Sequence, residues 1–352
     1  MKRFLSLLLL TLAVLPALAQ ASRGEITYIG RVEKDGDAVL ANWTGAMAIV
    51  RFQGKTLSMV FEDSGCDFVN VWVDREPGVT ADQVLQLEGA GTVELARFRK
   101  AGEHVVYIQK RTEGEQGCIR FKDFVTDGTL LPARPLRERV IEIVGDSYTC
   151  GYGTESASRD EPFRSSEENC NLSYSGILGR YFDADVIRVA HSGRGIARNY
   201  GGFQGSLMPE LYRHVHDDAN SPLWTPDYHP DIVLIYLGTN DFSTGLQPSM
   251  EAWLAGYLDL LSAIRTFHPD VPVLCVASKA SPMLEEYVKE AATRCPFPGI
   301  HWAALQADIH NDTTDLGASW HPNHPGQRKV ASAIAPYIAT VTGWELPLKP
   351  LE

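Results

Sequence analysis

Four short segments of this chain carry residue types that could do chemistry, and three of them follow runs of apolar residues. The first is Gly145-Asp146-Ser147-Tyr148-Thr149-Cys150-Gly151-Tyr152-Gly153. A serine straight after a buried strand, flanked by glycines, is exposed at the top of a sheet, where a nucleophile belongs. The second is His191-Ser192-Gly193-Arg194-Gly195, whose glycines let backbone N–H groups approach a ligand. The third is Gly238-Thr239-Asn240-Asp241, in which the Asn240 amide could donate to a developing oxyanion. The last is Trp320-His321-Pro322-Asn323-His324-Pro325-Gly326, where His321 on a loop could serve as general base. A nucleophile, oxyanion donors and a base together describe acyl transfer. Taken singly, each segment has a plainer reading: a turn serine, a tight glycine turn, a helix-capping asparagine and a structural histidine.

These segments need a sheet to hold them, and the second half of the chain supplies one. Arg139–Val144, Asp185–Ala190, Asp231–Leu237 and Val271–Val276 read as strands, and Asp231–Leu237 is nearly all apolar, as a central parallel strand should be. Helical stretches separate them, among them Ser249–Phe267 and Pro325–Thr340. Alternation of strand and helix predicts an α/β parallel sheet, with its site at the carboxyl ends of the strands. From about Ile26 to Val125 the pattern is different. Short alternating runs (46–52, 56–61, 68–73, 104–108) follow one another, with Gly54-Lys55 as a turn between the first two. That pattern predicts a β-sandwich, a jelly roll, over residues 22–130. A linker over 131–136, rich in proline and leucine, leads into an α/β domain over 137–352.

Lys2 and Arg3, an apolar run from Phe4 to Ala19, and small residues at Ala17, Ala19 and Ala21 describe a secretory signal peptide over residues 1–21. The run is shorter than the ~20 residues of a spanning helix and contains Pro16. The chain is therefore expected to be exported, to the periplasm or beyond, with no membrane span. The formal charge of −12 makes nucleic acid a poor partner. Six cysteines follow the leader, and nearness in sequence favours the pairs Cys66–Cys118, Cys150–Cys170 and Cys275–Cys295, with buried free thiols as the alternative.

The four segments, in this order and at these strand ends, resemble the SGNH (GDSL-type) hydrolase superfamily. The preceding β-region, with Gly-Asp-Ser-x-Thr-x-Gly-Tyr-Gly and Ser-Gly-Arg-Gly-x-x-Arg-Asn-Tyr, is similar to carbohydrate esterase family 2. The resemblance implies a flavodoxin-like three-layer α/β/α catalytic domain behind the jelly roll. It also implies removal of acetyl groups from polysaccharides such as xylan and mannan. By the same resemblance, Ser147 is the nucleophile and one oxyanion donor, Gly193 a second and Asn240 a third, with Gly195 an alternative for the glycine role. His321 is the base, and Asp146 is a structural residue of its block. The superfamily carries an aspartate three residues before the histidine, and here that position is Ala318. A Ser-His dyad is then implied, with the Trp320 carbonyl orienting His321, or with Asp315, Asp312 or Asp308 folding back to do so.

Tyr200 is the candidate sugar-stacking residue and Trp320 the second. His214-Val215-His216-Asp217-Asp218 has no metal-ligand spacing and reads as a solvated polar segment, as do Glu113-x-Glu115 and Glu285-Glu286. No metal or cofactor is expected. The partner is an acetylated polysaccharide or oligosaccharide, and the sequence sets no oligomeric state. The rivals are a short-chain or lysophospholipid esterase on the same fold and a non-catalytic glycan-binding protein.

Overall fold

Residues 26–278, 281–306 and 309–352 are described by a computed structural model. The leader over 1–21 and Asp308 lie outside the described residues.

The second half forms a five-stranded parallel sheet. The N-terminal region contributes β1 (Thr27–Ile29), β2 (Val32–Asp35), β3 (Ala38–Ala41), β4 (Met47–Val73), β5 (Gln83–Lys110), β6 (Ile119–Thr126) and β7 (Thr129–Leu131). The parallel sheet is then built from β8 (Val140–Gly145), β9 (Asp185–Ala190), β10 (Ile232–Tyr236), β11 (Val273–Ala277) and β12 (Ile300–Ala304), in the order β12-β11-β10-β8-β9. This is the doubly wound order whose switch point lies between the first and third strands, here β8 and β10. The helices are α1 (Ser147–Cys150), α2 (Tyr174–Phe182), α3 (Met208–Leu211), α4 (Met250–Phe267), α5 (Pro282–Arg294) and α6 (His324–Thr342). Strand residues alternate between two cores. Val144, Val233, Ile235 and Val273 pack with Trp253, Leu260, Leu284 and Val288 of α4 and α5. Ile141, Ile143, Leu234 and Leu274 pack with Ile177, Leu178, Val330 and Ile334 of α2 and α6. The period of two along each strand thus feeds both helical layers.

The N-terminal region is one seven-stranded antiparallel sheet. Its runs are not short strands joined by turns. They merge into β4, of 27 residues, and β5, of 28, which pair along most of their length and bend at register shifts. Gly54-Lys55, expected as a turn, instead continues β4 past a register shift at which β5 carries the extra residues, and there the Asp127 carboxylate accepts the N–H groups of Lys55 and Thr56 at 2.6 and 3.0 Å. A side-chain acceptor from the next turn thus satisfies backbone donors that a hairpin would have satisfied itself. The expected linker also starts differently. Leu131 ends β7, which pairs with β4, and Leu130 packs into the N-terminal core.

The two regions share a core. Ile29, Met47, Ile49, Trp72 and Tyr107 meet Val140 and Ile187, with Leu136 alongside. Arg31 crosses between them: its guanidinium is fully buried 3.6 Å from Glu142 on β8 and lies over the Trp224 ring at 3.9 Å. The segment from His214 to Asp218, expected as solvated, belongs to this contact. His216 Nε2 meets Glu33 at 2.6 Å, and Asp217 is wholly buried against His191. All six cysteines are free thiols. The expected Cys150–Cys170 pair fails because the Cys150 thiol faces the Glu113 carboxylate and the Cys170 thiol faces the Lys110 carbonyl. Among the described residues no helix is long and apolar enough to cross a membrane.

Candidate active site

β8 ends at Gly145, and Asp146 caps the short helix α1 by accepting the Tyr148 N–H at 3.1 Å. The cap turns the chain sharply, so that Ser147 opens the helix directly above the strand end. Gln327 of α6 ties the turn down, donating to the Tyr148 carbonyl and accepting from the Tyr174 N–H, both at 3.0 Å. Burial, with Asp241 nearby, pushes the Asp146 carboxyl up to about 7. Asp146 is a cap rather than a partner of the histidine.

β9 leads into the loop carrying Gly193, whose φ of +78° puts it in the left-handed region that glycine tolerates. The Gly193 carbonyl accepts the Tyr200 N–H at 2.8 Å, which sets Tyr200, 60% exposed, beside this loop. Asp241, after β10, holds the rest of the loop: its carboxylate accepts the N–H groups of Ile196, Ala197 and Arg198 at 2.9, 2.7 and 3.0 Å. Asn240 is buried beside Asp146. Its Nδ2 donates to the Arg194 carbonyl at 2.8 Å and approaches Asp146 Oδ2 at 3.4 Å. Gly195 binds Asn199 through its N–H at 3.1 Å, so that donor is engaged within the loop.

His321 Nε2 lies 2.8 Å from Ser147 Oγ across 174 residues of sequence. Its Nδ1 faces the carbonyl of Ser319 at 3.1 Å. The carbonyl that faces the ring is therefore that of Ser319, one residue earlier than the expected Trp320. The reason is backbone shape. Ser319 and Trp320 both have positive φ, +51° and +63°, which hooks the chain so that the Ser319 carbonyl turns back on the ring. Two hydrogen bonds hold the hook: the Ser319 N–H donates to the Glu161 carbonyl at 3.0 Å and the Trp320 N–H to the Arg159 carbonyl at 3.3 Å. The Arg159 guanidinium also covers the Trp320 indole at 3.9 Å.

No described aspartate reaches the imidazole. Asp315 accepts from the Asn311 N–H at 2.5 Å and the Thr314 hydroxyl at 2.9 Å and pairs with Lys329. Asp312 pairs with Arg159 at 3.2 Å. Ala318 is fully buried, and a Cβ at Gly153 would come within 2.9 Å of its methyl. The usual place of the acid is thus closed by packing against the Gly151-Tyr152-Gly153 turn.

Sequence reasoning missed Tyr152, whose ring packs on His321 with centroids 4.2 Å apart and stacks on Phe163 at 4.0 Å. Burial among these rings pulls the His321 pKa down to about 4, against a smaller upward pull from the Ser319 carbonyl. At neutral pH the imidazole is uncharged, and with Nδ1–H donated to the carbonyl, Nε2 is free to accept the serine proton. Tyr200 and Trp320 are both more than half exposed, Tyr200 on the Gly193 loop and Trp320 next to His321 in the chain.

Glu113, expected as solvated, is 1% exposed and lies behind the Gly193 loop. Glu113, Cys150 and Glu168 bring ligand-type atoms within 4.8 Å of one another. Burial and the two acids push the Cys150 thiol well above its ordinary range.

Residues 28–135 match the family described as carbohydrate esterase 2 N-terminal, and residues 143–329 match the GDSL-like lipase/acylhydrolase family. The chain is 30% identical over 334 residues to a cellulase/esterase, CelE, of Acetivibrio thermocellus; the match covers 91% of this chain and 40% of that protein. It is 27% identical to an acetylxylan esterase / glucomannan deacetylase of Cellvibrio japonicus, with 86% of each covered. The structure of a family two carbohydrate esterase from Clostridium thermocellum in complex with cellohexaose superposes with a TM-score of 0.82 at 28% identity, covering 91% of this chain and 100% of that one.

Proposed function

This chain belongs to the GDSL-like lipase/acylhydrolase family and is a carboxylic ester hydrolase, and from that premise we propose that it removes O-acetyl groups from polysaccharides through a Ser147–His321 dyad. The observation that supports this most is the line Ser319 carbonyl, His321, Ser147, with contacts of 3.1 and 2.8 Å and an imidazole kept neutral by burial. Ser147 Oγ passes its proton to His321 Nε2 as it attacks the acetyl carbonyl. The negative charge then settles among the Ser147 and Gly193 N–H groups and the Asn240 amide, whose N–H toward Asp146, held only at 3.4 Å, turns to it. His321 returns the proton to the departing sugar oxygen, leaving acetyl-Ser147. Water, deprotonated by the same nitrogen, releases acetate.

The names of the relatives point to acetylated xylan and glucomannan, and the exposed rings of Tyr200 and Trp320 suit a sugar chain laid across the dyad. In this reading the N-terminal sheet is a jelly roll ending near residue 130, the catalytic domain runs from residue 137, and the leader sends the protein to the periplasm or beyond. Acetate release from acetylated xylan and glucomannan, set against p-nitrophenyl acetate and a long-chain ester, tests the assignment. Fast release from the polysaccharides supports it, and preference for the long chain assigns the site to lipid esters instead. A second reading is favoured by the related esterase's complex with cellohexaose: this chain also binds an unacetylated β-glucan chain, at the site of Ser147 and His321. Cellohexaose should then inhibit deacetylation competitively.

A further inference from the structure

The Gly193 loop is not held by its own domain alone. The loop over 111–118, between β5 and β6 of the N-terminal region, reaches behind it. There Glu113 Oε2 accepts the Ser192 N–H at 2.6 Å. Ser192 is the residue immediately before Gly193, and its amide is the last anchor before the N–H assigned to the oxyanion hole. On the other side, His191 Nδ1 meets Asp217 at 2.5 Å, and Asp217 is itself placed by its N–H bonding to Asn42 Oδ1 at 2.7 Å. Asn42 too belongs to the N-terminal region. The approach is close. A Cβ on Gly114 would lie 2.7 Å from both Asn42 Oδ1 and Asp217 Cβ, so only glycine lets the 111–118 loop seat here.

We propose that Glu113 is a positioning residue for the oxyanion hole, its carboxylate fixing Ser192 so that the Gly193 N–H meets the charge developing on the substrate carbonyl oxygen. The proposal rests on the reading of Ser147 as nucleophile. It makes the N-terminal region part of the catalytic apparatus, not an appended binding module.

The surroundings fit a group kept for its geometry. Glu113 is tied at several points: its N–H donates to Glu168 Oε2 at 3.2 Å, its carbonyl accepts from Lys110 Nζ at 3.0 Å, and its carboxylate takes the Cys150 thiol at 3.4 Å. Arg111, two residues earlier, donates to the Glu168 carbonyl at 2.8 Å and the Ser166 carbonyl at 2.9 Å, clamping the loop onto the catalytic region. Burial and Glu113 push the Glu168 carboxyl well above its ordinary range. Packing buried acids together is costly for folding, whereas a carboxylate acceptor makes a shorter and stronger bond to an N–H than a neutral one.

The test compares Glu113→Leu, which removes the acceptor, with Glu113→Gln, whose amide oxygen can still accept the Ser192 N–H. Both are made in the full chain and measured with p-nitrophenyl acetate. Glu113→Leu should lower kcat by about 10- to 100-fold, a part of what deleting an oxyanion donor costs, while KM stays within about twofold. Glu113→Gln should recover kcat to within about fivefold of the parent, because it restores the bond without the charge. Inhibition by a phenylboronic acid, whose serine adduct places an oxygen in the oxyanion hole, should weaken in Glu113→Leu by the same factor as kcat falls. A folded Glu113→Leu protein with parental kcat overturns the proposal. So does a folded Glu113→Gln protein as impaired as Glu113→Leu, or a boronate affinity that does not change with kcat. If Glu113→Leu does not fold, Glu113→Met, which keeps the length of the side chain but not the oxygen acceptor, takes its place under the same criteria. Ser147→Ala measured alongside keeps the two readings apart: turnover surviving there removes the nucleophile assignment, whatever Glu113 does.

Discussion

Ser147, Gly193 and Asn240 follow the ends of β8, β9 and β10, whereas His321 lies far along the chain and outside the parallel sheet, in a two-residue strand, His321–Pro322, paired with Leu316–Gly317. On the first side, position comes from a buried sheet, a helix cap by Asp146 and three N–H bonds to Asp241. On the second, it comes from two left-handed residues, a carbonyl and the 159–161 segment. The nucleophile side is rigid by secondary structure, and the histidine side by backbone strain held in check by hydrogen bonds. Reactions that need a base to accept and return a proton within one turnover suit this division, since only the proton shuttle lies outside the sheet.

The largest effect expected is loss of the pair itself. Ser147→Ala and His321→Ala should each lower kcat by about 10⁴-fold or more while the thermal unfolding midpoint stays near that of the parent. Equal damage from both marks the two sides as one unit. Near-parental acetate release from Ser147→Ala ends the assignment.

Next comes the hook. Ser319→Pro cannot keep φ at +51° and loses the N–H given to Glu161, so the orienting carbonyl swings away. A fall in kcat of about 10²-fold is expected, less than the ~10⁴-fold recorded for losing a charged orienter in the serine-protease template. Ser319→Gly keeps the carbonyl and tolerates positive φ, so it should stay within about fivefold of the parent. If proline and glycine behave alike, the Ser319 carbonyl does not orient the ring.

These two sides also differ in how far the sequence reveals them. Gly145-Asp146-Ser147 and Gly238-Thr239-Asn240-Asp241 follow runs of apolar residues, so pattern alone puts them at strand ends. The Ser319 carbonyl is invisible in a sequence, because any residue has one and only the backbone angles decide where it points. Glu113 and Asp217 misled for a related reason. A charge among polar residues reads as solvated, and contacts between distant segments bury these two side chains. β4 and β5 defeated the strand count because bulges let one strand continue where glycine suggests a turn. Tyr152 carried a faint signal, an aromatic residue inside the nucleophile block.

The pH profile separates the sides without mutation. Burial lowers the His321 pKa to about 4, so the base form persists well below pH 6. As pH falls through that value the ring gains a proton, Nε2 no longer accepts from Ser147, and activity is lost. The acidic limb of kcat/KM should therefore lie below that of an ordinary imidazole at about 6.5. A limb at or above 6.5 means that the ring is more hydrated than its packing against Tyr152 implies.

The smallest effects expected fall on Asp315 and Asp312, and the first decides between a dyad and a hidden triad. Its carboxylate accepts from the Asn311 N–H and the Thr314 hydroxyl and pairs with Lys329, and its carbonyl accepts the Asn323 N–H at 3.0 Å, where α6 is capped. All of these bonds brace the loop ahead of the histidine, and none touches the imidazole. Asp315→Asn leaves a buried site short of a charged acceptor, which costs about 1–3 kcal/mol of stability. It should lower the unfolding midpoint while kcat, measured well below that midpoint, stays within about threefold, as is usual for changes away from the reacting groups. Asp312→Ala should be milder still: it loosens Arg159, which covers Trp320, but the bonds of the 159–161 backbone to the hook remain. A deeper fall in kcat than in stability for Asp315→Asn, reaching that of His321→Ala, would make it the third member, and the carbonyl at 3.1 Å would then be a bystander.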